Sequence, residues 1–298
     1  MDKSVPEIKA KPSWLRRRLP TGPEYEQVRG LIKNSRLHTV CQEAACPNQF
    51  ECFSNRTATF LIMGSRCTRN CRFCNIEPGG SLPGLDPGEP ARVADAVVKM
   101  DLRYVVVTSV TRDDLADGGA SHFAATIAEI RRGHADARIE VLIPDFKGDS
   151  AALQTVLQAG PDVLNHNIET VPRLYPQVRP QADYNRSLQL LRNASGYAPP
   201  IPVKSGLMLG LGESDKEIEL TLKDLFLSGC RLITIGQYLQ PSREHLPVQR
   251  FVTPQEFDQW GQTARQMGFC QVASGPFVRS SYHACEMYQG HDAAPIGQ

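Results

Sequence analysis

The sequence lacks the features that mark membrane, secreted and nucleic-acid-binding proteins. Its longest apolar runs, such as residues 104–107, are far too short to cross a bilayer. The N-terminus carries a few cations but no apolar stretch behind them, so it does not form a secretory signal. The formal net charge of the 298 residues is only +1, which gives neither a basic field for nucleic acid nor an acidic tract typical of disorder. We therefore expect no membrane partner and no nucleic-acid partner.

Cysteines are the residues with the most informative distribution. The chain has nine, and six of them fall between residues 41 and 74. A disulfide framework would suit a much smaller secreted chain, whereas clustered thiols in a long chain are more often metal ligands in a reducing compartment. We therefore expect a cytoplasmic location. The six form two sets with the spacings C-x4-C-x5-C and C-x3-C-x2-C, namely Cys41, Cys46 and Cys52, and then Cys67, Cys71 and Cys74.

Each set has three thiols and no obvious local fourth. A structural zinc site is the simplest alternative, but it would need another thiol or a His close by. Three thiolates can instead hold three corners of a [4Fe–4S] cube, which leaves the fourth iron open to another ligand. Because a strand-length segment separates the sets, two clusters explain them better than one shared metal.

From residue 57 onward, strand-like and helix-like segments alternate. This alternation predicts right-handed crossovers and a parallel sheet in an α/β fold. We count about six βα units, fewer than the eight of a closed barrel, so we predict a partial (β/α)6 barrel. A doubly wound sheet is the alternative, although no G-x-G-x-x-G fingerprint follows the first strand. The predicted strands are 59–63, 104–110, 139–143, 163–168, 203–209 and 232–236, and the predicted helices are 91–100, 121–132, 150–158, 185–193, 215–227 and 254–267.

Extensions flank this barrel on both sides. We predict an N-terminal extension at 1–56, the barrel at 57–272 and a C-terminal tail at 273–298. The extension holds a helix at 24–37 and, before it, a polar arm with Trp14 and the basic run 16–18. One interpretation is that the arm is mobile and lies on the surface. The other is that it covers a site or binds an acidic partner protein. The last few residues look disordered.

Loops that follow the predicted strands carry the polar residues expected at the functional end of a barrel. The loop at 108–119 has three carboxylates, one Arg and two glycines, which could also be turn and helix-start residues. Asn167 and Glu169 suit recognition of hydroxyl groups such as those of a ribose, whereas His166 is more simply a hydrogen-bonded core residue. Two cations at Arg173 and Arg179 could meet a carboxylate or be plain surface charges.

The tail at 274–284 contains small and polar residues and, alone, predicts only a loop. Beside a three-cysteine cluster it could supply the missing fourth ligand. A serine alkoxide would bind iron more weakly than a thiolate and would be easier to release. His283 and Cys285 are rival ligands in the same stretch.

The two cysteine sets, taken together with the run at 279–282 (Arg-Ser-Ser-Tyr), resemble the lipoyl synthase family of radical S-adenosylmethionine (SAM) enzymes. The resemblance runs from about the first helix to the tail and includes 108–119, whereas one set alone would not be specific. The Asn-x-Asn-x-Glu pattern at 165–169 is also similar to one in biotin synthase. The loop at 75–80 departs from the family, which often carries a Lys there.

The resemblance implies two [4Fe–4S] clusters and SAM as cofactors. Cys67, Cys71 and Cys74 would hold the cluster that reduces SAM to methionine and a 5′-deoxyadenosyl radical. The other set would hold an auxiliary cluster that donates two sulfurs, with Ser281 as fourth ligand and Ser280 as the alternative. The expected SAM contacts are Asn167 and Glu169 at the ribose, with Thr108, Ser109, Gly210, Gly212 and Glu213 nearby.

The implied reaction inserts sulfur at C6 and C8 of an octanoyl group in amide linkage to a lysine of a lipoyl carrier domain. Implied partners are octanoylated E2 subunits of dehydrogenase complexes, the H protein of glycine cleavage, and a low-potential electron donor such as ferredoxin or flavodoxin. Three alternatives stay open from the residues: a biotin-synthase-like enzyme with a small free substrate, an iron–sulfur electron carrier, and a zinc-stabilised scaffold.

Overall fold

A computed structural model describes residues 10–16, 23–44, 46–54, 58–79, 82–282 and 284–292. Several residues singled out above lie outside the described residues: Arg17 and Arg18 of the basic arm, Gly80, His283 and residues 293–298. Trp14 lies in a short 3-10 turn, Ser13–Leu15, and its side chain is exposed.

An open sheet of eight strands organises the described chain. Its spatial order follows the sequence, and its first strand pairs antiparallel with the second, while all later neighbours are parallel. This is the partial barrel that the alternation predicts. The strands are β1 (His38–Thr39), β2 (Thr59–Ile62), then the separate two-stranded ladder β3 (Arg66–Cys67) with β4 (Glu77–Pro78), and β5 (Tyr104–Ser109), β6 (Arg138–Leu142), β7 (Val163–Asn165), β8 (Val203–Leu209), β9 (Leu232–Gln237) and β10 (Gln271–Gly275).

Helices connect the parallel strands and cover the outer face of the sheet. Two of them begin with a full capping box, Ser214 with Glu217 and Thr253 with Glu256, which satisfies backbone N–H groups at the helix start. In the described residues the α-helices are α1 (Pro23–Asn34), α2 (Val40–Glu43), α3 (Gln49–Ser54), α4 (Glu89–Lys99), α5 (Ala120–Gly133), α6 (Ser150–Gln158), α7 (Tyr175–Val178), α8 (Tyr184–Ser195), α9 (Asp215–Leu227), α10 (Pro254–Gln266) and α11 (Ala284–Asp292).

The structure contains elements that the sequence does not predict. β10 is a seventh parallel strand, and it crosses the boundary placed at 272, so the three-part division of the chain stays a prediction. Short helices α2 and α3 carry the first cysteine set. α1 ends three residues before 37, where Arg36 has a φ of 52°. β7 ends at Asn165, and the chain beyond it stays beside β8 through a hydrogen bond from the His166 N–H to the Lys204 carbonyl and a bridge from Glu169 to Leu207.

A charged pair lies inside the sheet. The Lys204 ammonium donates to both carboxylate oxygens of Glu140, at 2.9 and 3.1 Å, and both side chains are buried. The Tyr104 hydroxyl and the Asn165 amide donate to the same carboxylate, at 2.7 and 3.1 Å. One carboxylate on β6 is therefore joined to β5, β7 and β8, and these hydrogen bonds compensate the cost of burying its charge.

Replacing Lys204 by Met should lower the free energy of unfolding by about 3–5 kcal/mol, because Glu140 would keep a buried charge without its cation. Adding Glu140→Leu should recover part of that loss, since no buried charge then remains, although Tyr104 and Asn165 lose their acceptor. Urea unfolding of cluster-free protein, followed by circular dichroism, measures both. Lys216→Met at the exposed start of α9 is the control. A double variant as unstable as the single one would contradict this role of the pair.

Candidate active site

One cavity of about 850 Å³ lies at the concave side of the sheet and receives both cysteine sets. Side chains from β2, β5, β6, β8 and β9 form its walls, and the segment after β10 closes one side. The six clustered cysteines all contribute to its lining, as do Thr108, Ser109, Asn167, Glu169, Ser280 and Ser281. The structure therefore brings together most of the residues that the sequence predicts for the site.

The loop of the second set follows β2 and is fastened to the sheet through Arg69. Its buried guanidinium donates two hydrogen bonds to the Asp113 carboxylate, at 2.6 and 2.9 Å, and one to Asp145 at 2.5 Å. Burial alone would raise the pKa of Asp145, but Arg69 outweighs it and brings that pKa to about 2. The Thr68 backbone N–H also donates to the Thr111 carbonyl at 3.0 Å. The acidic loop at 108–119 is thus an anchor for the cysteine loop.

Backbone donors and one cation surround the thiols of this loop. The Cys67 sulfur accepts N–H groups from Arg69 and Thr111, at 3.4 and 3.3 Å. Burial raises the pKa of Cys71, and it raises the pKa of Cys74 to about 12. The Arg179 guanidinium acts in the opposite direction and lowers the pKa of Cys71. Since metals bind the thiolate form, this cation favours the ligating state.

Arg179 itself lies buried at the cavity wall. It donates to the carbonyl of Asn167 at 3.0 Å and meets the Tyr175 hydroxyl at 3.2 Å. Its Nε has no hydrogen-bond partner among the described residues. Arg173, the other cation of the same stretch, instead lies on the surface and pairs with Glu217 at 2.7 Å. The sequence singles out both cations without distinguishing them, and only tertiary structure shows which one reaches the cavity.

Asn167 and Glu169 form a pair at the end of β7. The Asn167 amide donates to the Glu169 carboxylate at 3.0 Å, and burial raises the pKa of Glu169. Glu169 has a φ of 67°, a left-handed conformation that is costly for a residue with a side chain and often marks a functional position. In the described structure the side-chain oxygen Oδ1 of Asn167 has no hydrogen-bond partner. This pair can therefore offer both an acceptor and a carboxylate to a ligand.

Thr108 and Ser109 end β5 and line the same cavity as this pair. The Thr108 hydroxyl donates to the Leu142 carbonyl at 2.8 Å, so it is committed to the sheet. The Ser109 hydroxyl is buried and finds no hydrogen-bond partner in the described part of the chain. His166 contacts the Ile143 carbonyl and the Ser187 hydroxyl at 2.9 and 3.0 Å, as a core histidine does, and burial lowers its pKa to about 4.

The loop after β8 lies outside the cavity lining. The Glu213 carboxylate accepts the backbone N–H groups of Gly210 and Leu211, at 2.5 and 2.9 Å, and so caps its own loop. Gly210 and Gly212 have φ values of 101° and 106°, which favour glycine. In this structure these three residues shape the loop rather than face the cavity, and their contact with SAM stays a prediction. Gly206, by contrast, lines the cavity.

The first cysteine set lies on α2, α3 and the turn between them. The Thr39 hydroxyl accepts the Gln42 N–H and caps α2, which carries Cys41. A hydrogen bond with Cys52, together with burial, raises the pKa of Cys41 well above its usual value. Cys41 and Cys52 therefore approach each other although ten residues separate them in the chain.

The C-terminal tail folds across this set. The Thr59 hydroxyl donates to the Ser281 hydroxyl at 2.8 Å, and the Asn48 amide donates to the Phe277 carbonyl at 2.8 Å. The Tyr282 hydroxyl donates to Glu51 at 2.8 Å. Ser280 also lines the cavity, so both candidate serines reach it.

Neither set forms a preassembled site for one metal ion. Within the described ranges, no three His, Cys, Asp or Glu side chains lie close enough together to hold such an ion. Tetrahedral zinc would require thiolates about 3.8 Å apart, given zinc–sulfur bonds of about 2.3 Å. The described residues also contain no helix long and apolar enough to cross a membrane.

Known proteins match the chain in both sequence and fold. A model of the radical SAM superfamily matches residues 61–225, and a model of the N-terminal domain of lipoyl synthase of the radical SAM family matches residues 3–46. A lipoyl synthase from Desulfotalea psychrophila is 60% identical over 285 residues, with 95% of each chain covered. One from Alkaliphilus metalliredigens is 52% identical over 285 residues, which are 96% of this chain and 98% of the relative.

Solved structures of more distant sequence share the fold. Methylornithine synthase aligns with a TM-score of 0.50 at 14% identity, over 84% of this chain and 81% of that one. A maturase of the [FeFe]-hydrogenase aligns with a TM-score of 0.54 at 17% identity, over 91% of this chain and 65% of that one. These two likenesses concern the fold alone. From the relatives of high identity over nearly its full length, the chain belongs to the lipoyl synthase family of radical SAM enzymes.

Proposed function

We propose that this chain inserts two sulfur atoms, at C6 and C8, into an octanoyl group bound in amide linkage to a lysine of a carrier domain. The observation that supports it most directly is one cavity that receives two separate three-thiol sets and a tail with two serines. An electron carrier needs no such cavity, and a biotin-synthase-like reaction gives no role to the set at 41–52. The family membership supports the same reaction.

The residues at the cavity fit the two clusters and SAM. Cys67, Cys71 and Cys74 are the ligands proposed for the first cluster, and the first set with Ser281 for the second. When bound, the first cluster supplies one electron that splits SAM into methionine and a 5′-deoxyadenosyl radical, and the second supplies sulfur. An acid or a base cannot break an unactivated C–H bond. The chain's own groups therefore bind and orient the substrate and SAM, and they shield the site from solvent.

SAM finds complementary groups near the second cysteine set. Glu169 and the free acceptor of Asn167 suit the ribose hydroxyls. Arg179 carries a buried positive charge and an unpartnered N–H in the described structure, which suits the SAM carboxylate. A ligand that satisfies these groups removes the cost of leaving them buried without partners.

An acyl chain requires an apolar wall, and the cavity that receives both cysteine sets provides one. Leu61, Val106 and Leu142 contribute to this wall from three neighbouring strands. Because their side chains are held by the sheet, they can position an alkyl chain without a polar anchor. Removal of hydrogen from C6 and then C8 requires such a fixed position.

The carrier domains proposed as partners are octanoylated E2 subunits of dehydrogenase complexes and the H protein of glycine cleavage. The proposed electron donor is a low-potential protein such as ferredoxin or flavodoxin, and the proposed compartment is the cytoplasm. A substrate that is joined to a protein lysine requires a carrier domain, and each SAM that is cleaved requires one electron from a donor. The thiols must stay reduced, which favours a reducing compartment.

Analysis of iron and acid-labile sulfide in anaerobically reconstituted protein should detect two clusters per chain. We expect about eight irons per chain in the parent and about four in Cys41→Ala and in Cys71→Ala. SAM cleavage should survive in the first variant and be lost in the second. Cys270→Ala, at an exposed cysteine, is the matched control with all iron retained. About four irons in both the parent and Cys41→Ala would contradict the auxiliary cluster.

Exchange of the tail serines should identify the fourth ligand. Ser281→Ala should reduce lipoyl formation at least about tenfold on an octanoyl-lysine peptide, because one iron loses its ligand. Ser280→Ala is the matched control and should keep most activity. Mössbauer spectra would report the affected iron site directly. If only Ser280→Ala removed that signal, the ligand would be Ser280.

Replacing Arg179 by Met should weaken SAM binding by about tenfold or more, since a hydrogen bond to a charged group is lost. Equilibrium binding of SAM to reconstituted protein measures the effect, and circular dichroism confirms the fold. Arg173→Met, on the surface of the same stretch, is the matched control and should bind SAM normally. Equal affinity in both variants would exclude Arg179 from the SAM site.

A further inference from the structure

The adjacent residues Cys74 and Asn75 are held from two sides. On one side, His245 Nε2 lies 3.0 Å from the Cys74 backbone carbonyl oxygen. On the other, the Asn75 side-chain amide donates to the Glu43 carbonyl oxygen at 2.8 Å. Glu43 is the last residue of α2 and lies between Cys41 and Cys46. The loop of the second cysteine set is therefore linked directly to the segment that carries the other set.

The contact from His245 has a defined donor. A carbonyl oxygen only accepts, so Nε2 carries the proton, and in the neutral ring Nδ1 accepts from the Ser242 hydroxyl at 2.9 Å. The Gln240 amide donates to the His245 carbonyl at 3.0 Å, and Leu246 N–H donates to the Arg72 carbonyl at 3.2 Å. The segment after β9 therefore makes two hydrogen bonds to the cysteine loop, one to Cys74 and one to Arg72. Gln240, in the same segment, also lines the cavity.

The contact from Asn75 reaches a carbonyl whose position is determined by its surroundings. The Glu43 carboxylate meets His38 Nδ1 at 2.8 Å, which ties the end of α2 back to β1. The Cys46 N–H donates to the Cys41 carbonyl at 3.2 Å, so the chain turns tightly around this point. Asn75 therefore binds a short segment that has its own internal hydrogen bond and carries two of the three auxiliary thiols, Cys41 and Cys46.

We propose that Asn75 and His245 are positioning residues that keep the two cysteine sets at a fixed distance and orientation across the cavity. The inference rests on the proposed function, because this geometry matters only if a radical formed at one set must act on a substrate close to sulfur held at the other. If a C–H bond is broken at the wrong distance from sulfur, no product forms, although SAM has been consumed. Loss of the fixed geometry should therefore change the number of SAM molecules consumed per product and not only the rate.

Two variants test the inference with little change in shape. Asn75→Asp keeps the size and removes the amide donor, and His245→Phe keeps a flat ring and removes the Nε2 donor. The readout is 5′-deoxyadenosine formed per lipoyl group on an octanoyl-lysine peptide. The variants are compared at equal iron and acid-labile sulfide per chain, because chains without the second cluster would cleave SAM without forming product. The matched controls are Asn193→Asp on the surface of α8 and His134→Phe before β6, neither of which lines the cavity.

We expect the ratio to rise about two- to tenfold in each test variant, as the loss of one hydrogen bond allows, and to stay at the parent value in the controls. Hydrogen–deuterium exchange of residues 41–46 in the fully reconstituted protein is the second readout, and it should accelerate in Asn75→Asp. An unchanged ratio in both variants would overturn the inference. A rise in only one would overturn its two-sided form.

The exchange measurement separates this inference from the proposed function. If the parent protein made no lipoyl product, the proposed function would fail, and the ratio would be undefined. Faster exchange at 41–46 in Asn75→Asp would still support the contact as a link between the sets. Unchanged exchange in that case would overturn the inference as well.

Discussion

The site depends on one buried guanidinium, that of Arg69. The second cysteine set lies on a loop between β2 and α4, and such a loop has no ladder of its own beyond the short pair β3 and β4. Arg69 binds Asp113 and Asp145, which follow two different strands of the sheet, so three connections are joined by one side chain. A single cation between two carboxylates leaves net negative charge, and the Arg186 guanidinium compensates it at 3.3 Å from Asp145. A buried ion network of this kind adds little stability over apolar packing, but it defines one geometry, which a three-thiol site requires.

Charge inside the cavity is balanced in the same way. Burial disfavours the negatively charged forms of Cys71 and Glu169 and so raises the pKa of each group. Arg179 opposes burial for both groups, and the carbonyl oxygens around it hold its guanidinium in place. The described residues leave Arg179 Nε, Asn167 Oδ1 and the Ser109 hydroxyl without partners, and all three residues line the cavity. Buried polar groups are rarely left so, and these three suit a polar ligand.

Much of the barrel could be predicted from the sequence, because its strands are continuous apolar runs and its helices carry strong start signals. Both cysteine sets were equally visible, since their spacing is local. β10 was not, because residues 271–275 form a strand only through pairing with β9. The choice between Arg173 and Arg179 was also out of reach, since the two differ only in the direction that tertiary packing gives them. At the loop 210–213 the sequence suggests more than the structure shows. Its glycines and Glu213 stand out in the sequence as candidate ligand contacts, yet their hydrogen bonds lie within the loop itself.

The tail completes the site under a different constraint. β1 and β10 are the two edges of the sheet, so a barrel of this type has an opening that some other segment must cover. Gly236 permits this, because a side-chain carbon there would lie 2.2 Å from the Val278 carbonyl oxygen. Ser281 and its neighbours are then held mainly by hydrogen bonds from Thr59, Asn48 and Tyr282, each worth about 1 kcal/mol net. Bonds of that strength hold the tail in place but can also be broken singly. A serine on such a segment can therefore move while the sheet and the cysteine thiols stay in position.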